Sequence, residues 1–318
     1  MALGGPVSAS WFVGGTFMPS GTGTLSGDYL AFGQTPPSDN LANATIYTLS
    51  SASGTPTLFY TDTSGYSQYQ VPVVAPAGWG AVGGDVLVPE GNYPGNGNTF
   101  VATIEALSPD GQLSTFATLP DSDAGFGTLF APAGFIPGTS GDVLLVSDYY
   151  NGNIYWVGPD GSFNLFTTVP LSAGQVGLRQ MAFAPAGFGS YGGDLFISVS
   201  GSNYGGGTYG EVEAINSAGQ VVGVITEGTV NAPFDPRGLY FANSDQLLIA
   251  DSDPSILAAT PAAVTPTPEP GSAVLVMLGM AGLLAIGKAR NPHSAKLRMF
   301  KTPASAQTER ASDYSPCS

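Results

Sequence analysis

The sequence predicts an all-β body, a propeller of about five four-stranded blades, followed by a Pro/Thr linker and one short apolar helix. Three observations carry this. A unit of 51 to 57 residues recurs from Pro19 to Pro236, and periods of that size mark arrays of like supersecondary units. Each unit reads as short strands separated by Asn-Gly, Asp-Gly and Pro-containing turns. Residues 1–265 show no sustained 3.6-residue periodicity, so no long helix is expected there.

The repeat is anchored by Pro-Ala-Gly-aromatic, found as Pro76-Ala77-Gly78-Trp79, Pro132-Ala133-Gly134-Phe135 and Pro185-Ala186-Gly187-Phe188. Pro236-Arg237-Gly238-Leu239 reads as a variant and Pro19 as the first of the series, so the spacings are 57, 56, 53 and 51. Nine or ten residues after each Pro, an Asp opens an apolar run: Asp28, Asp85, Asp142, Asp194 and Asp245. Within one unit, residues 142–148, 153–157 and 162–169 read as strands, with turns at Asn151-Gly152 and Asp160-Gly161. The first strand is the stretch running into Pro-Ala-Gly, as in residues 128–131 or 180–184. Four short antiparallel strands per unit is the size of a propeller blade. The last unit lacks a clear fourth strand after residues 256–259. The apolar residues 10–14 are expected to complete it and close the ring, which would protect an edge. Five units give five blades, and six if the N-terminus is truncated.

Composition limits the chemistry. Residues 1–270 hold 21 acids against two bases, Arg179 and Arg237, a net charge of −19; residues 271–318 are net +4. An acidic body without a basic surface excludes nucleic-acid binding. With 43% hydrophobic residues the body has the material for a core. The single histidine, His293, and the single cysteine, Cys317, both lie after residue 290. The body therefore has no Ser-His-Asp triad, Cys nucleophile, disulfide or structural zinc site. Carboxylate chemistry and hard-cation binding through oxygen remain.

Asp148 and Asp251 stand six residues after Asp142 and Asp245, and Glu90 falls near the same place in its unit. The matching residues of the other units are Gln34 and Ser200. In a propeller such strand ends converge on the channel, where a ring of carboxylates would hold Ca²⁺. Each Asp also fits as the cap of its own turn through an Asx hydrogen bond. Asp121-Ser122-Asp123 and Asp251-Ser252-Asp253 lack the other spaced oxygens of a calcium loop and read as solvated. Gly201 to Gly207, with Tyr204 and Tyr209 nearby, has no following helix or Lys and reads as a hairpin tip, not a phosphate loop. Tyr149, Tyr150 and Trp156 fit either a sugar-stacking face or core packing.

Gly141-Asp142-Val143-Leu144 leading to Ser147-Asp148, then Asn151-Gly152-Asn153-Ile154 and Pro159-Asp160-Gly161, resemble the NHL repeat and the gluconolactonase-like propellers. Ser108-Pro109-Asp110-Gly111 repeats the last element one unit earlier. The resemblance implies a propeller and, for the lactonase branch, a Ca²⁺-dependent hydrolase with channel carboxylates such as Asp148, Asp251 and Glu90.

Residues 259–270 form a Pro/Thr-rich linker of polyproline character. It ends in Pro268-Glu269-Pro270 and is followed by 17 uncharged residues, Gly271 to Gly287, and then by Lys288 and Arg290. As a helix at about 1.5 Å per residue this run is about 25 Å long, a short membrane span with bases on its cytoplasmic side. The segment resembles the PEP-CTERM sorting signal of Gram-negative bacteria, also catalogued as the ice-binding protein C-terminal domain. That resemblance implies export, an exosortase-type processing enzyme as partner, and delivery to the cell surface or matrix. Residues 288–318 continue as a polar, basic tail expected to be disordered. The chain opens without a basic n-region or long apolar h-region, so a start upstream of Met1 is expected.

Two functions follow. The first is an exported, non-catalytic binding or scaffold propeller, whose ligand is matrix exopolysaccharide or another surface protein. The alternative is a Ca²⁺-dependent lactonase-type hydrolase.

Overall fold

The computed structural model describes residues 11–21, 23–34, 43–50, 55–62, 67–92, 102–120, 125–201, 210–226, 235–251 and 256–267. They form a five-bladed β-propeller of antiparallel sheets, met in chain order. Blade 1 holds β1 (Trp11–Phe17), β2 (Tyr29–Gln34), β3 (Ala44–Leu49) and β4 (Pro56–Thr61). In blade 2 the innermost strand is split into β5 (Ser67–Tyr69) and β6 (Val73–Val74), followed by β7 (Val86–Asn92), β8 (Ala102–Leu107) and β9 (Leu113–Thr118). Blade 3 holds β10 (Gly125–Ala131), β11 (Val143–Asp148), β12 (Asn153–Val157) and β13 (Phe163–Thr168). Blade 4 holds β14 (Gln175–Phe183), β15 (Leu195–Gly201), β16 (Glu211–Ile215) and β17 (Val221–Ile225). Blade 5 has three strands, β18 (Pro236–Asn243), β19 (Gln246–Asp251) and β20 (Ile256–Ala259). A last short strand, β21 (Thr265–Pro266), returns to the outer edge of blade 4 and pairs with β17.

The core is a series of apolar layers, one between each pair of successive blades. Leu30 and Phe32 meet Val86 and Val88; Leu87 and Ile104 meet Leu144 and Val146. Leu145 and Ile154 meet Leu195 and Ile197; Phe196 and Val212 meet Leu247 and Ile249. The second strands of blades 2, 3 and 4 thus bury both faces and read as unbroken apolar runs, while β19 of blade 5 alternates, burying Leu247 and Ile249 on one face only.

The Pro-Ala-Gly-aromatic motif builds an interblade wedge. In blades 1–4 the first and second strands are joined by eleven residues, 18–28, 75–85, 132–142 and 184–194. Where the motif is complete, the aromatic N–H donates to the Pro carbonyl: Trp79 to Pro76 at 3.0 Å, Phe135 to Pro132 at 3.1 Å, Phe188 to Pro185 at 2.9 Å. At Gly78 φ is +81°, a left-handed turn that a side chain would strain. The turn throws the aromatic ring onto the innermost strand of the next blade. Trp79 meets Phe130, Phe135 meets Phe183, and Phe188 meets Phe241, edge-on, with centroids 4.7–4.9 Å apart.

The structure departs from the sequence reading in several places. Pro236 is not a fifth copy of the motif; it opens β18 and pairs with Asp251. The position equivalent to Phe130 and Phe183 is Phe241, and the turn that follows it is only two residues, 244–245, with no wedge. Residues 10–14 do not complete blade 5, because β1 is the innermost strand of blade 1 and pairs with β2. The cross-strand pairs Phe17–Tyr29, Val74–Val86, Phe130–Leu144, Phe183–Leu195 and Phe241–Leu247 fix the true register. Four residues beyond the second member of each pair stand Gly33, Glu90, Asp148, Val199 and Asp251. Gln34 and Ser200 are therefore one residue out of line, because Asp142 and Asp245 each sit one place earlier than Asp85 and Asp194. Residues 259–267, expected as free linker, end β20, make one 3-10 turn and dock β21.

The chain divides into two compact units, 1–267 and 268–318. Pro268, Glu269, Pro270, the span 271–287, Lys288, Arg290 and the tail lie outside the described residues, as do Asp121 to Asp123, Ser252, Asp253, Tyr204 and Tyr209. Among the described residues no helix is long and apolar enough to cross a membrane.

Candidate functional site

At one end of the propeller β11 and β19 finish on Asp148 and Asp251, and Glu90 stands near the end of β7. Asp148, 2% exposed, accepts the Tyr150 N–H on Oδ1 and the Asn151 side-chain amide on Oδ2, both at 3.1 Å. It holds the turn between β11 and β12 as an Asx cap. Asp251 accepts the Asp235 N–H at 3.2 Å. Glu90 lies opposite Tyr69 across β7 and β5. Tyr69 is raised well above the usual phenol range, first by burial and then by the Glu90 charge. Among the described residues no group of three His, Cys, Asp or Glu is placed to hold a metal ion. The structure does not bring Asp148, Asp251 and Glu90 together as one ligand set.

Asp235, absent from the sequence reading, is a buried carboxylate with partners on two strands. Its Oδ1 accepts the Ser200 hydroxyl at 2.6 Å and the Gly201 N–H at 3.2 Å, and its Oδ2 accepts Arg237 Nε at 3.1 Å and Nη2 at 2.8 Å. One side chain thereby ties the end of β15 to the start of β18. The other body base, Arg179, stands four residues before Phe183 as Arg237 stands four before Phe241, so both bases occupy the same place on neighbouring innermost strands. Arg179 is buried over Phe126 and Tyr149, with the guanidinium 4.8 and 4.9 Å from the ring centres, and donates to the Tyr149 hydroxyl at 3.0 Å. Desolvated stacking of this kind is worth about 2 kcal/mol. Gly177 makes the packing feasible, since a Cβ there would lie 1.0 Å from the Tyr149 carbonyl oxygen.

Of the three aromatics named from sequence, Tyr149 is packed in this stack, Trp156 lies against the layer between blades 3 and 4, and Tyr150 sits at the rim. A further acid that sequence reading missed is Glu213 on β16, 5% exposed and with its carboxyl raised to about 8 by burial and then by the neighbouring Glu211. Glu211 accepts Gln175 Nε2 at 2.5 Å. Glu-Val-Glu at 211–213 was the available signal, because alternate strand residues share a face.

At the end where the wedge loops lie, the innermost strands β10, β14 and β18 line an open groove of about 680 Å³. Its walls include Leu129, Met181 and Leu239, with Tyr240 and Asp142 at the edge. Tyr240 is 66% exposed.

No family model matches the chain, and no curated protein matches its sequence. Solved structures match in fold. The α-L-arabinofuranosidase Arb93A from Fusarium graminearum, in complex with an iminosugar inhibitor, aligns with a TM-score of 0.51 at 11% identity, over 85% of this chain and 83% of that one. A protein of unknown function from Bacteroides caccae aligns at 0.45 and 12% identity, over 71% of this chain and 77% of that one. Saccharomyces cerevisiae Sqt1 aligns at 0.44 and 14% identity, over 75% of this chain and 58% of that one. At 11% identity the likeness to the arabinofuranosidase is one of fold alone.

Proposed function

We propose that this chain is an exported bacterial surface protein, sorted through its Pro-Glu-Pro segment, in which a non-catalytic propeller serves as a binding or scaffold module. The observation that carries the reading is where the body stops. Thr267, the last of the described residues, is anchored, its N–H donating to Val222 O at 3.1 Å and its hydroxyl to Val221 O at 2.6 Å. The next residue is Pro268, the first of the motif, so the compact body ends where a processing enzyme would need accessible chain. The commitments of the acids favour binding over hydrolysis. Asp148 is used as a turn cap and Asp235 as an interblade tie, which leaves neither placed as a general base.

The test is fractionation of a tagged full-length chain in a Gram-negative host that encodes an exosortase. Wild-type chain is expected at the surface or in the medium, while the Pro268→Ala, Pro270→Ala double variant stays in the inner membrane. Equal distribution of the two would overturn the sorting assignment.

A further inference from the structure

The groove at the wedge-loop end combines three properties that together select a ligand. Its size, about 680 Å³, lies within the range of about 300–1,000 Å³ typical of ligand sites. Its lining is apolar and adaptable, with Leu129, Met181 and Leu239 contributed by successive innermost strands. Its edge carries an exposed phenol, Tyr240, and an exposed carboxylate, Asp142, whose backbone carbonyl is held by the Trp79 indole N–H at 3.0 Å.

Charge decides what can enter. The body carries 21 acids and two bases, and both bases are already engaged: Arg237 by Asp235, Arg179 by Phe126 and Tyr149. The charge that the body carries is thus almost wholly negative, and among the described residues the one charged residue lining the groove is Asp142, a field that repels acidic polymers and attracts cations over about a Debye length. A neutral glycan would gain nothing from this field. We propose that the groove docks a partner protein through a basic segment, seating an apolar side chain on Leu129, Met181 and Leu239 while a flanking Lys or Arg pairs with Asp142. This rests on the binding-module reading above and names the chemistry of its partner.

The test is fluorescence anisotropy with the purified full-length chain in detergent and three labelled hexapeptides. One places a Trp-Leu pair between lysines, one replaces the lysines by glutamates, and one replaces Trp-Leu by serines. Only the first is expected to bind, and to weaken about tenfold in Tyr240→Ser and in Asp142→Asn. Both residues are exposed, so the variants should keep the wild-type melting curve. Binding should also weaken steeply between low and high salt. Equal binding of the glutamate peptide, or lysine-peptide binding unchanged in both variants, would overturn the proposal. So would binding of a neutral soluble polysaccharide that Tyr240→Ser abolishes while the peptide does not bind. Sorting is read separately by fractionation, so a chain that reaches the surface through its motif yet ignores the basic peptide refutes the groove assignment alone.

Discussion

The indole of Trp79 meets the ring of Phe130 edge-on at 4.9 Å, and Phe135 meets Phe183 and Phe188 meets Phe241 in the same way at the next two blade interfaces. One loop motif therefore supplies the same contact at successive blade interfaces. Phe188 is fully buried, and its replacement by Ala is expected to cost about 3–5 kcal/mol. Urea unfolding measures this, and a loss below about 1 kcal/mol would show that the wedge is not structural.

Phe17 occupies on β1 the place that Phe130, Phe183 and Phe241 occupy on their strands, yet it is 66% exposed. Blade 5 ends its first hairpin in two residues and sends out no wedge. Phe17→Ser is accordingly expected to change stability by less than about 0.5 kcal/mol, whereas Phe183→Ser should cost several-fold more. Similar losses in the two variants would contradict the wedge account.

Asp235→Ala removes the acceptor of two buried donors, the Ser200 hydroxyl and the Gly201 N–H. Each orphaned donor costs about 1–3 kcal/mol. The Arg237 side chain is 46% exposed, so its ion pair adds little. Asp235→Asn keeps a carbonyl acceptor and is expected to fall between wild type and Ala in a thermal melt.

Glu213 holds its proton in the folded state up to about pH 8, against an ordinary value of 4.5, because burial and the Glu211 charge oppose ionisation. Asp194 is shifted the same way by burial, to about 6. The unfolded chain releases these protons first, so the stability that these two groups contribute is fully present below the ordinary carboxyl range and is lost as pH rises toward 8. Glu213→Gln should flatten the slope of melting temperature against pH between 5 and 8 and raise stability at the upper end. An unchanged slope would mean that Glu213 ionises freely in the fold.

What the sequence made legible was local. Asn151-Gly152, Asp160-Gly161 and the three Pro-Ala-Gly turns specify their own backbone conformations, so the strands of blade 3 could be drawn within a residue of β11, β12 and β13. Register was harder. Anchoring units on Asp misplaced Gln34 and Ser200 by one residue, because the position of that Asp at the end of the wedge loop varies by one between blades. Pro236 misled because a Pro-x-Gly string opening a strand resembles one closing it. The polar network was not legible, since Ser200 meets Asp235, and Tyr149 meets Arg179, across 35 and 30 residues. Only the assembled blades bring them together.

The central claim, a surface-sorted propeller released at its Pro-Glu-Pro segment, is tested most directly by mass spectrometry of the C-terminus of the chain recovered from the cell surface. The account predicts a mature protein that ends at or near residues 268–270 and lacks the apolar run from Gly271 onward. A surface form that still ends at Ser318, or a chain found only inside the cell, would contradict it.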